Sequence, residues 1–248
     1  MFDRQATEFG RGPTAFFWEF GRQLAAQAGV GRGDLAVDVA AGTGAVTVPL
    51  AAAEARVVSV DLSEPMLRQL PAVAGVAPMR ASAQALPLRD ASADALTCGF
   101  GIAFFPDLSA ALREFRRVLK PRGRLALSWW RYTSHTPSVE AFEMGAERSE
   151  VARTSWEHAR SLADAEKVRG LVREAGFADA RVEPLVVDWR PGSLDAFWDR
   201  WVKGWTETKP LTPEEAVALR ARLERVAARW TDARGQLAYP MEAFAVVT

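Results

Sequence analysis

Two carboxylates and two glycines near the start of the chain have the spacing of a nucleoside-binding site. Asp38 lies in an apolar run that leads into Gly42-Thr43-Gly44, and Asp61 ends a second apolar run. Glycine lets the backbone turn sharply and lets a ligand approach without a Cβ in the way. A carboxylate at the end of the next strand accepts hydrogen bonds from ribose hydroxyls. The pattern therefore predicts a strand, a glycine turn and a helix that together bind a nucleoside.

The glycine spacing differs from that of two phosphate-binding motifs. The dinucleotide fingerprint has a third glycine, whereas Ala45, Val46 and Thr47 follow Gly44 in this chain. The sequence also contains no G-x-x-x-x-G-K-[ST] phosphate loop. The glycine spacing therefore favours a nucleoside without phosphates over a dinucleotide. An NAD-dependent oxidoreductase is an alternative hypothesis.

Four segments in a fixed order resemble the class I S-adenosylmethionine-dependent methyltransferases, of the group that includes the ubiquinone and menaquinone enzymes. The segments are 37–44, 58–66, 82–87 and 106–123, and the resemblance covers about residues 30–131. It implies S-adenosyl-L-methionine as the cofactor and methyl transfer as the activity. A cofactor-binding protein without transferase activity is the other alternative.

The resemblance also implies a role for each matching residue. The residues from Asp38 to Gly44 would hold the methionine end of the cofactor, and Asp61 would hold its ribose. Ala40 and Ser82 depart from the family pattern, which usually has glycine and aspartate there. The implied cofactor-binding residues are Asp38, Ala40, Gly42, Thr43, Gly44, Asp61, Leu62, Met66, Ser82, Ala83, Gln84, Gly99 and Phe100.

Histidine is scarce, so few side chains are candidates for a general base. The family often has histidines where this chain has Ala103-Phe104-Phe105, and only two histidines are present in all. His135 follows the predicted fifth strand and is the better placed of the two for taking a proton from the acceptor. Weaker candidates are His158, Asp188 and Glu140. No Cys/His cluster is present, so no metal site is predicted.

Alternation of apolar strands and amphipathic helices predicts an α/β fold of the Rossmann type. The expected strands are 35–40, 56–61, 76–80, 94–100, 124–130, 181–188 and 242–248. We expect a seven-stranded mixed sheet with helices on both faces. The resemblance implies that the seventh strand is antiparallel. Helix caps are predicted at Ser63, Asp107 and Thr212, the last within a capping box.

The chain is predicted to be one methyltransferase domain, residues 1–248, with three additions. Residues 1–30 are expected to be helical, and 132–160 and 190–235 are expected to be helical insertions that cover the acceptor site. Trp198, Trp201 and Trp205 share one predicted helical face in the second insertion. Two hypotheses follow for this face: it forms an aromatic wall over the acceptor pocket, or it packs the inserted helices on the sheet.

Composition limits the classes of partner. Lys+Arg and Asp+Glu are both 31, so the formal net charge is zero, which argues against a nucleic-acid partner. The single cysteine, Cys98, and the lack of a signal sequence or long apolar run favour a cytoplasmic protein without membrane insertion. We expect a small aromatic or apolar molecule as methyl acceptor. The sequence does not fix the oligomeric state.

Overall fold

The computed structural model describes residues 3, 6–7, 9–10, 14–148, 150–202 and 210–248. The side chains of Val151, Ala152, Ser155 and Trp201 are not among the features described. The chain divides into two compact units. The first comprises residues 1–130, 162–185 and 243–248, and the second comprises residues 131–161 and 186–242. Both predicted insertions, 132–160 and 190–235, fall within the ranges of the second unit.

Seven strands form one sheet in the order β3-β2-β1-β4-β5-β7-β6. Strands β1 to β5 pair in parallel, and β7 pairs antiparallel with β5. The predicted Rossmann-like sheet with an antiparallel seventh strand is therefore confirmed. The strands are β1 (Leu35–Val39), β2 (Arg56–Asp61), β3 (Val76–Arg80), β4 (Ala93–Gly99), β5 (Leu119–Trp130), β6 (Arg181–Ser193) and β7 (Gln236–Val247).

Nine α-helices are present in the described part of the chain. They are α1 (Phe16–Ala28), α2 (Thr47–Ala52), α3 (Glu64–Leu67), α4 (Leu108–Val118), α5 (Pro137–Arg148), α6 (Glu150–Ser161), α7 (Ala165–Glu174), α8 (Leu194–Phe197) and α9 (Pro213–Ala227). The side chains of Ser63, Asp107 and Thr212 cap α3, α4 and α9 as predicted, and the capping box at Thr212 is complete. These caps satisfy backbone N–H groups that a helix start leaves without a partner.

Several boundaries differ from the sequence prediction. In the described part of residues 1–30, the helix covers Phe16–Ala28, and residues 6–7 and 9–10 lie in turns. Strand β5 begins at Leu119, five residues early, and its pairing with β4 shifts register between Ala93 and Ala95. Pro121 and Gly123 lie inside this strand. A proline is tolerated where a ladder is interrupted, as at a bulge.

The first unit has a continuous apolar core between the sheet and two helices. Strand residues such as Val37, Leu96 and Leu127 are fully buried against Phe115 of α4 and Val168 of α7. Cys98 belongs to the same core, and burial raises the pKa of its thiol well above the ordinary value.

The second unit contains α5, α6, α8 and α9. Trp198 begins a π-helical turn, Trp198–Val202, where the sequence predicted an ordinary helical face. The predicted face of Trp198, Trp201 and Trp205 cannot be followed further, because Trp205 and the side chain of Trp201 lie outside the described part of the chain. Among the described residues, no helix combines the length and apolarity needed to cross a membrane.

Candidate active site

The turn between β1 and α2 requires glycine for steric reasons. Gly42 and Gly44 have positive φ angles of 55° and 96°. A Cβ on Gly44 would lie 2.7 Å from Leu70 Cδ2, closer than real carbon contacts allow. At Gly42 the nearest atom to such a Cβ is 3.8 Å away, in the ring of Phe9. A side chain at position 44 would therefore need an unfavourable φ and would displace Leu70, whereas Gly42 has more room.

Asp61 is hydrogen-bonded directly to this turn. The N–H of Gly42 donates to Asp61 Oδ2 at 2.8 Å, and the N–H of Ser63 donates to Oδ1 at 2.8 Å. Burial raises the pKa of the Asp61 carboxyl, and these two N–H groups offset part of the rise. Each carboxylate oxygen can accept a second hydrogen bond. The two features singled out in the sequence thus lie side by side at the carboxyl ends of β1 and β2.

Asp38 fixes the position of the turn through hydrogen bonds inside the first unit. It is 1% exposed and accepts hydrogen bonds from the hydroxyls of Thr47 (2.7 Å) and Thr97 (2.9 Å). The Thr47 hydroxyl also lies 2.9 Å from Ser59 Oγ. This network joins β1, β2 and β4 to the start of α2. Burial raises the pKa of Asp38 to about 6, although both threonine hydroxyls favour its charged form.

The implied cofactor-binding residues that follow β2 and β3 lie at the same edge of the sheet. Ser63 caps α3, and Met66 within that helix is buried. Leu62, just before the cap, is 67% exposed. Beyond β3, the N–H of Ala81 donates to the backbone oxygen of Asp61 at 3.2 Å. The turn at Ser82 follows, where the N–H of Gln84 donates to Ser82 Oγ at 3.2 Å.

The end of β4 adopts a conformation that is unusual for a residue with a side chain. Phe100 has a φ of 61°, and its N–H donates to the oxygen of Ser128 on β5 at 3.0 Å. Ala40 at the end of β1 also has a positive φ, 55°. A Cβ on Gly101 would lie 2.5 Å from the Cβ of Ala40. Strained backbone of this kind concentrates at functional sites.

The segment before α1 lies against the glycine turn. The hydroxyl of Thr43 is 3.5 Å from the oxygen of Phe9, and Ser63 Oγ donates to Asp3 Oδ1 at 2.5 Å. Gly10 is held in turn by the indole N–H of Trp18, which donates to its oxygen at 2.7 Å. The sequence suggested only a helical segment here and did not single out these contacts.

Three aromatic rings meet at the ends of β4 and β5, and we call Phe17, Phe100 and Trp130 the aromatic ledge. The ring centroids of Phe100 and Trp130 are 4.3 Å apart, and Phe17 lies 5.2 Å from Phe100 and 5.7 Å from Trp130. The sequence predicted a helical segment that includes Phe17 and indicated no role for Trp130. The one feature of the sequence that could have indicated this cluster is the pair Trp129-Trp130 at the end of a predicted strand.

His135 lies in the second unit within an ion-pair network. Its Nε2 is 2.6 Å from Glu140 Oε2 and 3.8 Å from Glu143 Oε2. Glu140 is buried and also pairs with the Arg222 guanidinium, which in turn contacts Glu147. The histidine nitrogen and the carboxylates of Glu140 and Glu143 lie within 4.8 Å of one another. Because Arg222 already neutralises Glu140, we assign this cluster as an ion-pair network. The other candidates, His158 and Asp188, lie on α6 and β6.

Comparison with known proteins gives one family. A family model described as a methyltransferase domain matches residues 37–127. The ubiquinone/menaquinone biosynthesis C-methyltransferase of Klebsiella pneumoniae is 32% identical over 171 residues, which are 60% of this chain and 68% of that protein. A demethylmenaquinone methyltransferase of Mycobacterium sp. is 40% identical over 131 residues, 51% of this chain and 52% of the relative. The chain thus spans about half the length of the mycobacterial relative.

A solved structure extends the similarity beyond the matched segment. A Bacillus halodurans protein assigned as a methyltransferase superposes with a TM-score of 0.63 at 18% identity, covering 92% of this chain and 97% of that one. At this identity the similarity concerns the fold alone.

Proposed function

The chain belongs to the class I S-adenosylmethionine-dependent methyltransferases, and we propose that it transfers a methyl group from that cofactor to a small aromatic or apolar molecule. The observation that carries the proposal is the hydrogen bond between Gly42 and Asp61, which joins the glycine turn to a strand-end carboxylate. S-adenosylmethionine, when bound, supplies an electrophilic methyl group on a sulfonium.

The residues of the turn fit such a cofactor. A Cβ at Gly44 would meet the side chain of Leu70, and Gly42 leaves room above its Cα. The carboxylate of Asp61 is only partly buried and retains acceptor capacity for two ribose hydroxyls. We therefore propose the cofactor-binding residues named from the sequence, with one refinement. Asp38 is turned inward onto Thr47 and Thr97, so its side chain positions the turn and does not contact the cofactor.

The main catalytic task that we propose for the protein is alignment. A positioned acceptor next to a bound donor reacts faster because translational and rotational freedom has already been lost, which supplies roughly 7–11 kcal/mol. The run from Gly99 to Pro106 contains no charged or hydroxyl side chain. This end of the sheet therefore offers an apolar surface, which favours an apolar acceptor and excludes water.

An acceptor that begins as a neutral hydroxyl must also lose a proton, and we propose His135 for that step. Glu140 Oε2 lies 2.6 Å from His135 Nε2 and fixes the orientation of the ring. The backbone oxygen of His135 accepts a hydrogen bond from the indole N–H of Trp230 at 3.2 Å. With Nε2 engaged by Glu140, Nδ1 is the nitrogen that would take the proton.

The proposal is tested by incubating the protein with isotopically labelled S-adenosylmethionine and a panel of phenols, naphthols and aliphatic alcohols. Mass spectrometry would report a labelled methyl group on an aromatic member of the panel. Binding of the demethylated product without labelling of any acceptor in a broad panel would favour the alternative of a cofactor-binding protein. Tighter binding of NAD than of the demethylated product would contradict the proposal.

A further inference from the structure

The aromatic ledge is a rigid feature of the first unit. Phe16 and Phe20 of α1 are 2% and 1% exposed and pack edge-to-face against Trp130, each at 5.7 Å between ring centroids. Phe100 is held by the backbone hydrogen bond to β5. Aromatic rings supported in this way lose little conformational freedom when a ligand binds to them.

Two of the three rings of the ledge remain partly exposed. Phe100 is 9% exposed and belongs to the core, whereas Phe17 and Trp130 are intermediate in exposure. Side chains needed only for packing would be expected to be as buried as Phe16 and Phe20 behind them. Phe104, four residues beyond Phe100, is 50% exposed and extends the apolar character of this end of the sheet.

Aromatic contacts connect the ledge to the glycine turn. The ring of Phe9 stacks on Phe17, with centroids 5.0 Å apart and an interplanar angle of 22°. The same ring is the nearest neighbour of the open position above Gly42. The ledge therefore lies at the carboxyl edge of the sheet, beside the turn where the proposed cofactor binds.

The geometry points to a specificity-determining role for the ledge, which rests on the proposed function: we propose that Trp130 and Phe17 select a methyl acceptor with a planar aromatic ring, by stacking on it. Offset or edge-to-face ring contacts add to the free energy that apolar burial alone provides. A saturated molecule of the same size buries similar area but lacks this contribution. The ledge thus discriminates flat rings from aliphatic acceptors.

The test measures binding without turnover. Protein saturated with S-adenosylhomocysteine is titrated calorimetrically with 2-naphthol, with its saturated counterpart decahydro-2-naphthol and with choline. We expect 2-naphthol to bind roughly fivefold more tightly than the saturated alcohol, as one or two ring contacts would give. Equal binding of the two alcohols, no binding of 2-naphthol, or preferred binding of choline by a cation–π contact would overturn the inference.

Variants separate this inference from the proposed function. Trp130→Ala and Phe17→Leu should abolish the preference for the planar alcohol, and Trp130→Phe should retain it. Phe177→Leu is the matched control, because Phe177 is a buried core ring that packs on Arg116. If Trp130→Ala does not fold, Phe17→Leu carries the test alone. If the wild type does not bind S-adenosylhomocysteine, the proposed function is refuted. If folded variants that bind S-adenosylhomocysteine still prefer 2-naphthol as strongly as the wild type does, only the role of the ledge is refuted.

Discussion

The backbone N–H of Gly42 donates a 2.8 Å hydrogen bond to the carboxylate of Asp61. The glycine turn after β1 and the acidic end of β2 are consequently one hydrogen-bonded unit. Because the second oxygen of Asp61 accepts the N–H of Ser63, the carboxylate is held on both sides. A cofactor would meet an acceptor whose position is already fixed, which lowers the entropic cost of binding.

Gly44→Ala should weaken both stability and cofactor binding. The positive φ of 96° costs about 1–2 kcal/mol for a residue with a Cβ, and the Cβ would also collide with Leu70. Gly33→Ala is the matched control, because Gly33 has a φ of 87° and no atom within 4 Å of its Cβ position. Chemical denaturation and titration with S-adenosylhomocysteine compare the two. Equal losses of stability in both variants, with unchanged binding, would contradict a tight turn at Gly44.

Ala40 and Gly101 should be energetically coupled. Gly101→Ala alone places a Cβ 2.5 Å from Ala40 Cβ and 2.8 Å from Cys98 Sγ, and should destabilise the protein by about 1–3 kcal/mol. Ala40→Gly removes one of the two close contacts and the positive-φ strain at that position. The double variant should therefore be more stable than the sum of the single effects predicts. Additive free energies of unfolding would show that the two positions do not contact each other.

Asp38 should make stability fall as the pH rises. Its pKa is about 6 in the folded protein against an ordinary 3.8, so the folded protein binds this proton more tightly than the unfolded chain. The free energy of unfolding should decline between about pH 4 and pH 6 by about 3 kcal/mol relative to Asp38→Asn, and stay level above. Urea unfolding of both proteins across this range measures the difference.

Asp94 supplies a control of opposite sign for that experiment. The N–H of Leu35 and the Lys120 ammonium lower the pKa of its carboxyl. Stability relative to Asp94→Asn should consequently fall as the pH decreases toward the folded pKa of Asp94. If the difference in free energy of unfolding between wild type and Asp38→Asn does not change with pH, the raised pKa of Asp38 is contradicted.

His135→Gln should reduce the turnover of a hydroxyl acceptor by about 100-fold, the lower range for a general base. The side chain of His135 is 55% exposed, so the substitution should leave the fold intact. His158→Gln is the control, since we propose no role for that residue. Steady-state rates with the same acceptor give the comparison, and equal activity of wild type and His135→Gln would remove His135 from the mechanism.

Local signals made much of the fold predictable. Ser63, Asp107 and Thr212 are oxygen-bearing residues directly before apolar helical runs, and each caps the helix expected of it. The parallel strands are short apolar runs, and their positions agree with the structure to within a few residues except at the ends of β5, β6 and β7. Those strands extend beyond the apolar runs, because β5 begins at Leu119, β6 ends at Ser193 and β7 begins at Gln236.

Contacts between distant residues were not predictable from one sequence. The hydroxyl of Thr97 reaches Asp38 across 59 positions, and nothing in the local sequence at Thr97 indicates that partner. Phe17 and Trp130 meet because α1 packs beside the ends of β4 and β5, which no periodicity reveals. The π-helical turn at Trp198–Val202 changes the spacing on which the predicted tryptophan face depended.

The interaction of Asp61 with the cofactor gives the most direct test of the account. Calorimetry of S-adenosylhomocysteine binding to wild type, Asp61→Asn and Asp61→Ala measures it, with thermal melting to confirm that each variant is folded. Two charge-assisted hydrogen bonds of roughly 1.5–3 kcal/mol each would be lost or weakened. We predict wild-type binding of S-adenosylhomocysteine but not of NAD, and a loss of about 100-fold or more in both folded variants. Binding within a few-fold of wild type by a folded variant, or tighter wild-type binding of NAD, would contradict the account.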